Sequence, residues 1–381
     1  MRLVVTGGGT GGHVFPGIAV ASALRRLMPD AEILFVGSEQ GMEARAVPEA
    51  GFAFRAIPAR GLLGNRLIRV PAILWTTLRG LLGALRILHA FKPDAVFATG
   101  GYVSGPVAVA GRMLGKPLVL HEQNSIPGMT NRWLARIAQE VHLNDPAARV
   151  FFAQRGHLKL SGNPIRQEVL QGDPGRARRE FDLEVGKTTI LVIGGSQGAR
   201  SINRAAVAAM RSLAEKRQDL QFIIQTGRRD YRWVARSLAG LPSACRVRAF
   251  ITQMGDVYDL ADLVVSRAGA MTLAEIAGCG RAAILVPFPH ATHNHQEHNA
   301  RSVVEVGAAS MILDRELNGP RLAAEIAKLI DTPRKLREMS INALRRARPQ
   351  AAEKIAAALL RFAPADVVVE GNGTAAKKET R

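Results

Sequence analysis

Residues 3–13 read LVVTGGGTGGH, and residues 188–203 read TTILVIGGSQGARSIN. Each opens as an apolar strand, breaks on glycines around a small hydroxyl residue, and runs on into a helix. A glycine turn between strand and helix lets backbone N–H groups approach a phosphate at the positive helix end. The device occurs twice in one chain, and each copy starts its own run of alternating strands and helices. That repetition decides the fold: α/β, with two Rossmann-like, doubly wound parallel sheets in series.

Outward from the first loop, a helix is expected from Pro16 to about Met28, with proline in its first turn. Further strands are expected at EILFVG (32–37), DAVFATGG (94–101) and KPLVLHEQN (116–124), with a helix around residues 106–114. LKLSGNPIR (158–166) closes the first half, and the charge-rich stretch 167–187 reads as a linker. Beyond the second loop, strands are expected at 220–226, 245–251, 262–266 and 282–286. After Gly319 the pattern is helical to about Phe362, and the polar tail EGNGTAAKKETR reads as disordered. The expected domains are 1–165 and 166–345, then a helix 346–363 and a tail 364–381, with the ligand between the two domains.

The first loop satisfies G-x-G-x-x-G through Gly7, Gly9 and Gly12, the dinucleotide fingerprint, which on its own can mark no more than a tight turn. A dehydrogenase also needs an acid at the carboxyl end of the second strand for the ribose. Glu32 stands at the beginning of that strand, and Gly37 and Ser38 stand at its end. A nicotinamide enzyme also leaves the second loop and His13 without a role.

The block SRAGAMTLAEIAGCGRAAILVPFPHATHNHQEHNA (266–300) ends a strand at Ser266, turns at Gly269 and begins a helix near Met271 carrying Glu275. A carboxylate there can accept ribose hydroxyls, helix-start N–H groups can hold a diphosphate, and the amides of Gln296 and Asn299 can read sugar hydroxyls. His290, His293, His295 and His298 crowd the same block. They meet neither zinc spacing, since H-x-x-E-H would need histidine at Asn294, and a solvated polar loop is the better expectation.

The chain has 381 residues with 51 Lys+Arg against 32 Asp+Glu, a formal net charge of +19, which favours anionic partners. Aromatic residues are 5% and no base-stacking motif occurs, which argues against nucleic acid. The cysteines, Cys245 and Cys279, form no disulfide or metal pattern, so a reducing cytosol is expected. No apolar signal core opens the chain and no run reaches the roughly 20 apolar residues of a spanning helix.

Residues 50–93 contain no acid. They mix Arg55, Arg60, Arg66, Arg69, Arg79, Arg86 and Lys92 with Leu62, Leu63, Leu67, Ile68, Ile73, Leu74, Trp75, Leu78, Leu81, Leu82 and Leu85. Such a segment suits an anionic lipid surface, against the alternative of a core helix with a solvated basic face.

GGGTGGHVFPG, GGYVSGP (100–106), HEQN (121–124), SGNPIR (161–166), GGSQGA (194–199), AGAMTLAE (268–275) and HQEHNA (295–300) occur here in one order. With these motifs the chain resembles the bacterial UDP-N-acetylglucosamine transferases that complete lipid II, from residue 1 to about 345. Asn294 and His295 depart from common forms of that family. The resemblance implies a GT-B fold and transfer of GlcNAc from UDP-GlcNAc to the MurNAc O4 of undecaprenyl-pyrophosphoryl-MurNAc-pentapeptide (lipid I). It further implies inversion at C1, no cofactor and no obligatory metal.

By position it implies donor contacts from Thr10, Gly11, Gly12, Asn124, Arg166, Ser196, Ile251, Ala270, Met271, Thr272, Leu273, Ala274, Glu275 and Gln296. Tyr102, Ser104, His121 and Glu122 belong to motifs facing the acceptor. His13, at the helix start, is the expected base, since an imidazole titrates close to neutral pH. The implied partners are UDP-GlcNAc, lipid I, the anionic inner leaflet and proteins of the cell-wall machinery. The implied place is the cytoplasmic face of the cell membrane, as a peripheral protein. A sugar-nucleotide epimerase on the same scaffold is the rival, and would leave the acid-free segment without a role.

Overall fold

The computed structural model describes residues 1–59, 70–153, 156–195, 197–241, 243–291 and 294–364. The chain divides into two compact units: Met1–Gln123, Pro127–Pro164 and the residues from Gln350 onward form one, and Asn124–Ile126 with Ile165–Pro349 form the other.

The first unit runs β1 (Arg2–Thr6), α1 (Gly11–Leu27), β2 (Glu32–Ser38), α2 (Glu43–Glu49), β3 (Ala53–Ile57), α3 (Val70–Phe91), β4 (Ala95–Ala98), α4 (Ser104–Met113), β5 (Leu118–Glu122), α5 (Met129–Leu134), β6 (Glu140–Leu143) and β7 (Leu158–Leu160). Its parallel sheet has the order β3-β2-β1-β4-β5-β6-β7, with Leu3 opposite Ile33 on one side and Ala95 on the other. Side chains alternate across β1 as pleating requires. Leu3 and Val5 pack with Leu24, Phe35 and Phe97, whereas Val4 packs with Val96, Leu120 and Leu88 on the opposite face. Both faces are covered, so the strands read as apolar runs without a polar period.

The second unit opens with α6 (Gln167–Leu170) and α7 (Pro174–Glu180). It continues β8 (Thr188–Ile193), α8 (Arg200–Lys216), β9 (Leu220–Gln225), α9 (Tyr231–Leu238), β10 (Cys245–Arg248), α10 (Met254–Leu260), β11 (Leu263–Ser266) and α11 (Ala270–Gly278). It ends β12 (Ala282–Leu285), α12 (His295–Glu305), β13 (Ala309–Met311), α13 (Gly319–Ile330) and α14 (Pro333–Arg346). The sheet order β10-β9-β8-β11-β12-β13 repeats the pattern of the first sheet, with Ile190 between Phe222 and Leu263. In each sheet the order reverses beside the first strand, between β1 and β4 and between β8 and β11. Open α/β sheets bind ligands at that reversal, beyond the carboxyl ends of the strands. Both glycine loops stand there.

The last helix, α15 (Ala351–Leu360), belongs to the first unit. Its Ala352, Ile355, Ala356 and Leu359 share a core with Val20 and Leu24 of α1. Arg26 meets Glu353 at 2.8 Å and Arg361 meets Glu140 at 2.5 Å.

Three expectations need correction. The first helix begins at Gly11, because extended Thr10 caps it and the N–H groups of His13 and Val14 both return to the Thr10 carbonyl at 3.1 and 3.2 Å. Pro16 is therefore inside the helix. The stretch 167–187 is no linker: α6 and α7 bury Val169, Ala177 and Phe181 in the core of the second unit. Arg176 of α7 also binds Asp256, itself 2% exposed, at 2.6 Å. The acid-free segment is not one surface either, since it contains β3, whose Ile57 is buried, as well as α3. Arg60, Leu62, Leu63, Arg66, Leu67, Ile68 and Arg69 lie outside the described residues, as do Ser196, His293 and the tail from residue 365.

Candidate active site

In the first unit, the loop after β1 and the loop after β4 lie against each other at the sheet's reversal point. Gly101 (φ +85°) lies so close to the Gly8 carbonyl that any Cβ there would collide with it. Gly100 (φ +101°) leaves room for the His13 ring, which a Cβ would meet at 3.2 Å. The Thr99 hydroxyl donates to the His13 carbonyl at 2.6 Å, fixing the start of α1 to β4. The His13 ring is partly exposed, and its Nδ1 stands 3.0 Å from the Thr99 carbonyl oxygen. A carbonyl can only accept, so Nδ1 carries the proton and Nε2 keeps a lone pair. This is the tautomer a base needs. Thr10 is exposed, and Gly11 and Gly12 lie in the first helical turn, where N–H groups have no partner within the helix.

Beneath this loop lies a carboxylate that the sequence did not single out. Glu43, 1% exposed, accepts from Gly9 N–H at 3.1 Å, from Ser38 N–H at 3.0 Å and from the Ser38 hydroxyl at 2.6 Å. The Ser38 hydroxyl also lies 3.4 Å from the Tyr102 hydroxyl. A sequence reader could find Glu43 only as an acid at the start of α2.

Of the motif residues expected to face an acceptor, Tyr102 is exposed and Ser104, His121 and Glu122 are buried. Ser104 donates to the Gly100 carbonyl at 2.6 Å. Glu122 accepts from Asn131 at 2.8 Å and from Gly128 N–H at 3.2 Å. Burial holds His121 well below the usual imidazole range, at about 3, against a raising hydrogen bond to the Gly162 carbonyl. All three side chains are thus spent on bonds within the first unit.

In the second unit, α11 starts at Ala270 after the short turn 267–269 that follows β11, with Gly269 at its cap position and Ala270 and Met271 buried. Thr272, Leu273 and Ala274 are partly exposed along the first turns. Glu275 follows, its Oε2 accepting from the buried Tyr258 hydroxyl at 3.2 Å. Burial raises the Glu275 carboxyl above its ordinary value, and Arg166 opposes the rise. Arg166 caps α6 and contacts Glu168 at 3.2 Å.

Ile251 is 5% exposed and gives its N–H to Gln225 Oε1 at 2.8 Å, while Gln225 Nε2 donates to the Gly195 carbonyl at 3.2 Å. Gln225 thus ties the second glycine loop to Ile251. No signal beyond a polar residue at a strand end marked it. Gln296 accepts from Phe288 N–H at 3.0 Å, and Asn124 meets Asn299 at 3.4 Å. Asn299, expected to read sugar hydroxyls, is buried and accepts from the Ser125 hydroxyl at 2.6 Å. Among the described residues no three His, Cys, Asp or Glu side chains come together as a metal site.

Along α3, Trp75, Arg79, Leu82 and Arg86 recur at helical spacing and are all exposed, flanked by exposed Leu74 and Leu78, while Ala84 and Leu88 face the core. No helix among the described residues is long and apolar enough to cross a membrane.

Two parallel sheets that follow one strand pattern, with a glycine loop at each reversal point and Glu275 on the helix that follows β11, are the architecture of two-domain, GT-B-type sugar-nucleotide enzymes. Glycosyltransferase family 28 matches by its N-terminal domain over residues 3–143 and by its C-terminal domain over residues 189–355. The UDP-N-acetylglucosamine--N-acetylmuramyl-(pentapeptide) pyrophosphoryl-undecaprenol N-acetylglucosamine transferase of Thermodesulfovibrio yellowstonii is 42% identical over 355 residues, 93% of this chain and 97% of that one. The protein of the same name from Moorella thermoacetica is 41% identical over 368 residues, 95% of this chain and 99% of that one.

The crystal structure of MurG from Acinetobacter baumannii superposes with a TM-score of 0.75 at 28% identity, covering 94% of this chain and 99% of that one. A putative UDP-N-acetylglucosamine 2-epimerase from Listeria monocytogenes shares the fold, with a TM-score of 0.71 at 17% identity over 94% of this chain and 95% of that one. The chain belongs to glycosyltransferase family 28, among the UDP-N-acetylglucosamine--N-acetylmuramyl-(pentapeptide) pyrophosphoryl-undecaprenol N-acetylglucosamine transferases.

Proposed function

We propose that this chain transfers GlcNAc from UDP-GlcNAc to the MurNAc O4 of lipid I, giving lipid II. The observation that carries the proposal is identity above 40% along nearly the whole chain to proteins named for that transfer. The acceptor hydroxyl attacks C1 of GlcNAc from the face opposite the phosphate. The new O–C1 bond forms as the C1–phosphate oxygen bond breaks, and UDP leaves with the electron pair. His13 Nε2 takes the proton, its lone pair kept available by the Nδ1–H donated to Thr99.

Thr10, Gly11, Gly12, Asn124, Arg166, Ser196, Ile251, Gln296 and the Ala270–Glu275 turn bind the donor, with Glu275 accepting ribose hydroxyls. Tyr102 faces the acceptor, and Ser104, His121 and Glu122 support that wall. The stripe Trp75, Arg79, Leu82 and Arg86 rests on anionic headgroups, which brings the first unit to a lipid-anchored acceptor.

Labelled UDP-GlcNAc incubated with and without a lipid I analogue tests the assignment. Release of UDP and label transfer are expected only with the acceptor. Conversion of the sugar nucleotide without acceptor, as an epimerase would perform, contradicts it.

A further inference from the structure

Behind His13 lies a hydrogen-bonded chain that runs through His121 of β5 to Gly162, 41 residues further along the sequence. His121 Nε2 is 3.0 Å from the Gly162 carbonyl oxygen, so Nε2 carries the proton and Nδ1 accepts. The atom that donates to His121 Nδ1 is Gln123 Nε2, at 3.1 Å. The second N–H of the same amide goes to the Thr99 carbonyl at 2.7 Å. Both donors are thereby used, the amide cannot be reversed without setting its oxygen against a carbonyl, and Oε1 is left 3.2 Å from His13 Nδ1. Two fixed carbonyls, Thr99 and Gly162, therefore set every proton in the chain. His121 is fully buried and held neutral, which keeps its Nδ1 an acceptor.

We propose that Gln123 is a positioning residue for the transfer: its amide oxygen shares the Nδ1–H of His13 with Thr99, holding the ring with Nε2 bare and stabilising the imidazolium as it forms. The proposal rests on His13 acting as the base. A hydrogen bond from a charged donor is roughly twice as strong as a neutral one, so the contact gains strength as the proton arrives. It stabilises the transition state more than the bound substrates. The other titratable groups on the elements around His13 are engaged elsewhere. Glu122 is held by Asn131 and Gly128, Glu43 by Ser38 and Gly9, and the Tyr102 hydroxyl lies beside Ser38. Gln123 is thus the side chain that meets the back of the ring.

Gln123→Met removes both polar ends at similar volume. It should lower kcat by roughly 10–100-fold, the scale of one lost hydrogen bond to a charged group, with donor KM within about twofold. Placed in His13→Ala, the same change should cost at most about twofold more, because its route of action is gone. In isotope-labelled wild-type protein, His13 should show a protonated Nδ1 and a bare Nε2, and in Gln123→Met the Nδ1 signal should shift as its second acceptor is lost, with Thr99 still holding the proton there.

An equal loss in both backgrounds, or a raised donor KM at unchanged kcat, overturns the role of Gln123 and leaves His13 as base. A wild-type ring protonated on Nε2 overturns it without any variant. Near-normal turnover in His13→Ala overturns the base and, with it, the role of Gln123.

Discussion

At the scale of single residues, the proposed roles of His13 and Glu275 rest on different properties, position for one and protonation for the other. As the proposed base, His13 would use the Nε2 lone pair that the Thr99 carbonyl leaves bare. His13→Ala should therefore lower kcat by roughly 10²–10⁴, the scale of a positioned general base, while donor KM changes little. Steady-state kinetics with both substrates varied checks this, and a variant turning over at nearly the parental rate would move the proton elsewhere.

In the proposed donor site Glu275 accepts ribose hydroxyls as a carboxylate, and burial raises its carboxyl above the ordinary value. As pH falls the carboxylate is lost earlier than an ordinary glutamate would be, so donor KM should climb at mildly acidic pH. In Glu275→Gln that acid dependence should vanish, with a donor KM that is high at every pH. A parental KM that stays flat down to the ordinary glutamate range would contradict the assignment. His13 and Glu275 were legible in the sequence because each stands on a helix that opens from a glycine turn after a strand. Gln123, Gln225 and the bonded state of Asn299 were not, because their partners are far off in sequence: His13 and Gln123 are 110 residues apart, and Ser125 and Asn299 are 174 apart.

Among the elements, the long apolar strands and their glycine ends were readable, because a strand buried on both faces admits little else. The short ones were not. β13 has three residues and α6 four, too few to show a period. α7 hides its anchors, Ala177 and nearby Phe181, among arginines and a glutamate, so a packed helix resembled a linker. α3 was read as basic and aliphatic, and its exposed stripe adds that tryptophan and arginine share one side.

An arginine near an anionic surface contributes about 1 kcal/mol, so Arg79→Gln with Arg86→Gln should weaken binding to anionic vesicles by roughly 30-fold. The effect should fade at high salt, where screening already removes the term. Cosedimentation with anionic and neutral vesicles checks it, and activity on a short-chain soluble acceptor should survive. Equal binding of mutant and parent would place the lipid contact on another face.

For the whole molecule, two histidines buried in the first unit couple its stability to pH. His121 and His142 are both lowered, to about 3 and about 4, chiefly by burial. Unfolding returns each to an ordinary value near 6.5, so below that pH the unfolded chain binds more protons than the folded one. Stability contributed by the neutral rings is complete above about pH 6.5 and declines as pH falls towards 4. Thermal melts across this window should show Tm falling with acid, and His121→Gln should make the fall shallower. A melting temperature flat between pH 6.5 and 4 would contradict the buried, neutral state of both rings.

The doubly wound class of both sheets was legible from the paired glycine loops, whereas the strand order, with its reversals between β1 and β4 and between β8 and β11, had no sign in the sequence. The return of α15 to the first unit was not legible, since an alanine-rich helix carries no sign of which core it joins. Linkage analysis of the product formed from UDP-GlcNAc and a lipid I analogue measures directly the bond that is made. One GlcNAc per acceptor is expected, β-linked through C1 to the MurNAc O4, with UDP released in equal amount. An α-linked product, or a changed sugar still attached to UDP, would contradict it.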